Sequence, residues 1–249
     1  MSMKITTFEL SRDKNVNLTC YVQETGKVYG HLEKRPSILI IPGGGYNHLS
    51  PREAEPAAFG YLKAGWQAFI LHYTCNAKWP VPLEDYEKAM QILKDHEEEF
   101  FIDPEKTAVI GFSAGGHLAL AGSVLTAYKP KVLMLAYSLT GEEVEKYAPG
   151  YPSLLPHVNE KTPACFMFAT ANDASVSVLN TIHLAEKLSK NHVPFECHVY
   201  PYGRHGYSTG ENAVQKNKDP LDPRIRRWLR DSIAFANCIF EPENRPSAF

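Results

Sequence analysis

The stretch from Thr107 to Val124, TAVIGFSAGGHLALAGSV, leaves this chain few folds to choose from. The apolar run Ala108 to Ile110 leads into Gly111-Phe112-Ser113-Ala114-Gly115, and small and apolar residues then recur at helical spacing through Leu118, Ala121 and Leu125. That pattern predicts strand, sharp turn and helix, with a serine at the turn. G-x-S-x-G in this setting is the nucleophile-elbow pattern, in which a strained turn lifts a serine hydroxyl above the sheet edge at a helix N-terminus. The glycines have a steric reason. At Gly111 and Gly115 the strand and helix backbones must pass so closely that a Cβ would clash.

The rest of the chain continues the alternation. Thr6 to Leu10 and Leu18 to Glu24 read as two short antiparallel strands, turned at Asp13-Lys14-Asn15. Ser37 to Ile41 and Gln67 to Tyr73 are continuous apolar runs, as expected of parallel strands buried on both faces. Between them a helix is expected to start with Ser50 as N-cap, Pro51 at the first position and Glu53 completing a capping box, and to end at Gly65. Pro82 to Phe100 reads as a second helix with Leu83, Tyr86, Met90 and Leu93 on one face. The run Glu97-Glu98-Glu99 near its end reads as a solvated face, with His96 exposed beside it. Lys131 to Ser138 and Ala164 to Ala171 are further strands. The proline-rich Leu139 to Pro163 between them is a short lid-like segment, too short for a cap domain. Asn180 to Asn191 gives a helix, Phe195 to Tyr200 the last strand, and Asp222 to Phe240 a closing helix presenting Ile225, Trp228, Leu229 and Ile233. Glu241 to Phe249 is an irregular tail. The expectation is a single α/β domain over residues 1–249, with a mostly parallel eight-stranded sheet and helices on both faces. A chain of 249 residues, 44% hydrophobic, can bury such a core.

Charge and composition narrow the chemistry. Lys plus Arg is 26 against 28 for Asp plus Glu, without basic clusters, which gives no support for nucleic acid or an anionic membrane as partner. The N-terminal stretch has no apolar core of signal-peptide length and nowhere do about 18 apolar residues run together, so a cytoplasmic location is the expectation. The five cysteines are widely spaced and mostly set in apolar runs, which suits buried thiols. No C-x-x-C or H-E-x-x-H pattern suggests a metal, and no cofactor is expected.

A serine becomes a competent nucleophile when a neighbouring base takes its proton and an acid orients that base. In an elbow fold these follow in the order serine, acid, histidine. Asp173 stands just after the ACFMFATA strand, and His205 lies in the loop Tyr202-Gly203-Arg204-His205-Gly206-Tyr207 after the last strand. His198, within the FECHVYP strand, is the rival base, but its side chain is fixed to a sheet face. His183 and His192 read as surface residues, and His117 as a packed, hydrogen-bonded residue of the elbow helix. Pro42-Gly43-Gly44-Gly45-Tyr46 follows the Ile38 to Ile41 strand, where backbone donors for a developing oxyanion are expected. Gly44 and Gly45, with the amide of Ala114, are the expected donors. Tyr46 and Tyr207 are expected to wall the substrate pocket.

As a set, PGGGY, SPREAEP, GFSAGGH, Asp173 and GRHGY resemble the α/β-hydrolase superfamily, and within it the small bacterial acetyl esterases and acetyl-xylan-esterase-like hydrolases. The match runs from about Pro36 to the last helix. It departs from many lipases and esterases of this fold in having Pro42 where they carry a histidine before the glycines. The resemblance implies a cofactor-free serine carboxylesterase acting on a small-molecule ester, with short acyl groups such as acetyl, often on sugars, passing through an acyl-enzyme. A homo-oligomer is compatible with it. Two other readings fit the same scaffold: a serine peptidase, and a ligand-binding protein that has lost catalysis.

Overall fold

The apolar runs are gathered into one sheet of eight strands: β1 (Met3–Glu9), β2 (Asn17–Gln23), β3 (Arg35–Ile41), β4 (Gln67–His72), β5 (Ile102–Phe112), β6 (Val132–Ala136), β7 (Ala164–Thr170) and β8 (Phe195–Tyr200). The computed structural model describes residues 3–13, 15–26, 32–215 and 221–244. Lys14 of the expected first turn and residues 245–249 of the expected tail lie outside them. The spatial order is β1-β2-β4-β3-β5-β6-β7-β8. Strand β2 runs antiparallel to both β1 and β4, and every pairing from β4 to β8 is parallel.

Among the described residues five α-helices cover the sheet: α1 (Glu55–Lys63), α2 (Val81–Asp95), α3 (Ala114–Leu125), α4 (Leu179–Lys190) and α5 (Trp228–Phe240). Alternation along the buried strands divides the core in two. Leu39 and Ile41 join one cluster with Leu83 and Tyr86 of α2, Leu118 of α3 and Leu184 of α4. Ile38 and Ile40 join another with Tyr61 of α1 and Trp228 of α5. Helices on both faces are what continuous apolar strands require, because neither face can be left to water. No helix of the described residues is long and apolar enough to cross a membrane.

Three expected elements differ in ways that matter. The capping box at Ser50 does not form: Pro51–Glu53 is a single 3-10 turn, α1 starts only at Glu55, and Ser50 makes no side-chain cap. Glu53 is instead withdrawn into the interior, 2% exposed. The second helix stops at Asp95 rather than Phe100, and the acidic run lies in the turn that follows. Three carboxylates in a last helical turn would oppose the helix dipole. In the turn Glu98 meets Lys34 at 2.5 Å and Glu99 meets Lys4 at 2.7 Å. His96 is accordingly half-buried, its ring stacked on Phe100. The closing helix begins at Trp228, and the residues before it, Ile225–Arg227, form a separate 3-10 turn. The five cysteines are free thiols. Cys20 and Cys165 are buried as expected, and Cys238 is exposed.

Candidate active site

The C-terminal ends of the parallel strands carry the loops in which open α/β sheets build their sites. Strand β5 turns into α3 at Ser113, whose backbone has φ 53° and ψ −119°. A non-glycine residue there costs of order 1–3 kcal/mol and persists only where its surroundings over-determine it. They do so here by close approach. A Cβ on Gly111 would lie 2.3 Å from the Gly115 carbonyl oxygen, and one on Gly115 would lie 2.2 Å from that of Ile41. The Ser113 N–H donates to the Ala136 carbonyl at the end of β6, 2.9 Å away. The hydroxyl therefore stands at the N-terminus of α3, where the aligned peptide dipoles favour negative charge.

Three residues from three loops meet at this point. His205 Nε2 lies 2.8 Å from Ser113 Oγ, and His205 Nδ1 lies 2.7 Å from Asp173 Oδ2. The Asp173 carboxylate is 1% exposed. Its other oxygen accepts the backbone N–H groups of Ser175 and Val176 at 2.8 and 3.0 Å, which fixes its orientation. An acceptor held at Nδ1 puts a proton on that nitrogen and leaves Nε2 with a lone pair facing the serine. The Nε2 to Oγ distance lies within the range for proton transfer. His198 stays on β8, bonded to Glu196 and packed on Phe166, out of reach of the strand ends.

The loop carrying His205 is clamped by its neighbours. Arg52 Nη1 donates to the Gly206 carbonyl at 2.9 Å, Trp228 Nε1 donates to that of Ser208 at 3.0 Å, and Ser208 N–H donates to the Tyr137 hydroxyl at 3.0 Å. The Tyr137 ring stands edge-on to His205 with centroids 5.0 Å apart. Glu53 ties this loop to the glycine loop, since one carboxyl oxygen accepts the Gly43 N–H at 2.9 Å and the other the Tyr137 O–H at 2.7 Å. Burial first, and the Glu53 carboxyl beside it second, push the Tyr137 phenol well above its ordinary value, so it remains a donor. Sequence reasoning missed both Glu53 and Tyr137. The capping pattern offered a surface explanation for the glutamate, and the tyrosine stood unmarked at the end of an apolar strand.

The glycine loop after β3 keeps two donors uncommitted. Gly43 N–H is held by Glu53, whereas among the described residues the N–H groups of Gly44 and Gly45 meet no protein acceptor. Gly44 has φ 131°, and a Cβ there would lie 2.0 Å from the His48 carbonyl oxygen, so the turn admits only glycine. Ala114 N–H, the first of α3, has no intrahelical acceptor either.

Both tyrosines expected in the pocket wall are corrected. Tyr46, 3% exposed, sits beneath the glycine loop against Tyr73 and Tyr151, with centroids 5.6 and 4.5 Å away. Tyr207 is fully buried against Tyr137 and Phe168, because the left-handed turn at Gly206 (φ 71°) leads its ring into the core. His117 is the packed histidine expected. The Pro152 carbonyl, 2.8 Å from Nε2, can only accept, so Nε2 carries the hydrogen and Nδ1 accepts the Tyr46 O–H at 2.8 Å. One buried imidazole thus joins the elbow helix, the glycine loop and the segment after β6. That segment is docked further by Tyr151, whose hydroxyl donates to the Ala77 carbonyl, and by Tyr147, whose hydroxyl donates to that of Ser175.

Known proteins share this architecture. The dienelactone hydrolase family model matches residues 82–228, and the BD-FAE family model residues 29–130. An alpha/beta hydrolase enzyme from a Medee basin deep-sea metagenome library is 37% identical with a TM-score of 0.89, over 96% of this chain and 98% of that one. An acetylxylan esterase of Xylanibacter ruminicola is 26% identical over 90% of this chain and 50% of its own length. Endo-1,4-beta-xylanase B of Butyrivibrio fibrisolvens is 29% identical over 72% of this chain and 33% of its own. The chain thus spans half or less of these two curated relatives.

Replacing Glu53 by Gln leaves one acceptor oxygen for two buried donors, and the expected loss of unfolding free energy in urea titrations is roughly 1–3 kcal/mol. Burial pushes the His117 imidazole down to about 4. Below its ordinary value near 6.5 the unfolded chain takes up a proton that the folded chain refuses, so this contribution is complete above about pH 6.5 and is lost as pH falls toward 4. Between pH 7 and 4.5 the wild type should lose roughly 2–3 kcal/mol more than His117→Gln, read from urea titrations at both pH values.

Proposed function

This chain belongs to the dienelactone hydrolase family of α/β hydrolases, and from that premise we propose that it is a serine carboxylesterase that cleaves short-chain acyl esters, acetyl esters of sugars among them. The observation that carries the reading is the unbroken hydrogen-bonded run from Ser113 Oγ through His205 to the buried carboxylate of Asp173.

The chemistry follows from those contacts. His205 Nε2 takes the hydroxyl proton as Ser113 Oγ attacks the ester carbonyl carbon, and Asp173 steadies the imidazolium through Nδ1–H. The carbonyl oxygen gains negative charge, which the free N–H groups of Gly44 and Gly45 and that of Ala114 stabilise at the positive end of α3. Collapse of the tetrahedral adduct breaks the bond to the alcohol oxygen, which leaves with the proton from His205 Nε2. Water then gives a proton to His205 as it attacks the acyl-serine. The carboxylic acid departs, and Ser113 recovers its hydrogen.

Two observations support the short acyl group and the sugar alcohol. The space beneath Gly44 to Tyr46 is filled by Tyr46, Tyr73, Trp79, His117 and Tyr151, each ring packed on another, where a long acyl chain would need a tunnel. The sugar alcohol is supported by the likeness to the acetylxylan esterase.

Ser113→Ala should lower kcat on p-nitrophenyl acetate by roughly 10⁴-fold or more, and unchanged turnover sinks the serine mechanism. In the wild type, kcat/KM for p-nitrophenyl acetate should exceed that for the octanoate by about tenfold or more, whereas equal values remove the short-acyl preference.

A further inference from the structure

Beside His205 lies a cavity of about 940 Å³ that the acyl chemistry does not use. It is walled by the loop after β7, including Asn172 and Ser175, by Tyr202 to His205 after β8, and by Asp222 to Arg224 before α5. It reaches the candidate site on two sides. His205 is part of its wall and also bonds Ser113. Ser175 accepts the Tyr147 hydroxyl, and the Tyr147 ring lies 3.8 Å from where a Cβ on Gly45 would stand. Its volume is at the upper end of the ~300–1,000 Å³ typical of small-molecule sites, far beyond what an acetyl group fills.

The lining has a definite chemistry. Tyr202 is 67% exposed, a large aromatic face left to solvent on the same wall as the catalytic loop. Its carbonyl accepts the Asp222 N–H at 3.3 Å, which joins it to the Asp222 and Arg224 pair. Arg224 donates through Nε at 3.0 Å and Nη2 at 2.6 Å to the two oxygens of Asp222. That fork neutralises the guanidinium and fixes its plane, while three of its five N–H donors stay available. Asn172 is exposed and turns its oxygen to the Gly203 N–H at 2.9 Å, leaving its NH₂ group as a donor. A flat apolar face beside fixed, charge-compensated donors suits a neutral ligand that offers C–H faces and acceptor oxygens together. A sugar ring does so. An anion would find the Arg224 charge already paired with Asp222.

Position decides which half of the ester belongs here. The alcohol oxygen receives its proton from His205, so the alcohol extends along the His205 side, whereas the acyl group faces the glycine loop. Building on the serine esterase reading above, we propose that this cavity seats the alcohol half of the substrate, that this alcohol is a neutral oligosaccharide, and that Tyr202 is the platform on which one of its rings stacks.

The test compares acetylated xylo-oligosaccharides with p-nitrophenyl acetate in the wild type, Tyr202→Ala and Tyr202→Phe. Tyr202 is exposed, so neither substitution removes core packing. In Tyr202→Ala the ratio of kcat/KM for the oligosaccharide to that for p-nitrophenyl acetate should fall roughly three- to tenfold, through KM, and Tyr202→Phe should restore it. An unchanged ratio in Tyr202→Ala, or a loss carried by kcat on both substrates, overturns the proposal. A wild-type protein that cleaves p-nitrophenyl acetate but releases no acetate from the oligosaccharides also overturns it, while the esterase reading stands. That reading fails separately if Ser113→Ala retains turnover.

Discussion

Ser113 occupies a backbone conformation that an isolated chain would leave at once, and much of the molecule serves to hold it there. The strain is offset by packing that no side chain could share: the end of β5, the start of α3 and the end of β3 approach until their carbonyl oxygens stand where glycine Cβ atoms would be. Because β3 and β5 are neighbours in the parallel sheet, the loop leaving β3 opens next to the serine, and a Cβ on Gly43 would lie 2.9 Å from that of Ser113. Elbow, glycine loop and helix N-terminus are therefore one construction, and in the esterase reading proposed above its backbone donors stand in place before an ester arrives. Preorganisation of that kind is what makes electrostatic stabilisation effective, since no reorganisation remains to oppose it.

Around this construction two buried polar groups act as joints. Glu53 bonds the glycine loop to Tyr137, and through Tyr137 to the loop of His205. His117 bonds the elbow helix to Tyr46 and to Pro152. Each is a polar residue in an apolar setting with both of its hydrogen-bonding positions occupied, the condition under which burying polarity does not destabilise. This fixed pair of joints helps explain how loops from β3, β5, β6, β7 and β8 can converge within hydrogen-bonding distance. It also places the aromatic block under the glycine loop, whereas the open cavity lies on the His205 side, so the two flanks of Ser113 differ in character.

Much of this was legible in the residues alone. Continuous apolar runs gave parallel strands because a strand covered on both faces has no polar side to show. The elbow announced itself because its steric demand for glycine is local and leaves a mark at fixed spacing. Asp173 and His205, which the structure brings together with Ser113, could be picked out because both stand just past later strand ends, and His198, locked within β8, could be set aside on the same ground. What stayed hidden was set by contacts distant in sequence. Glu53 looked like a cap residue because its partners lie at Gly43 and Tyr137, the latter 84 positions away. The second helix was read too long because Lys4 and Lys34, which receive Glu99 and Glu98, are remote from it in the chain.

The sequence by itself thus determined the alternating sheet, the strained serine and the placing of Asp173 and His205 past later strand ends, since each follows from periodicity or from a local rule. The tertiary structure alone decided the directions of side chains around that serine. Tyr46 and Tyr207, each next to a glycine of a site loop, turn into the core, whereas Tyr202 in the same loop as His205 faces solvent. Left-handed turns such as that at Gly206 set these directions, and which turn a loop adopts depends on the carbonyls and carboxyls that hold it from elsewhere in the fold.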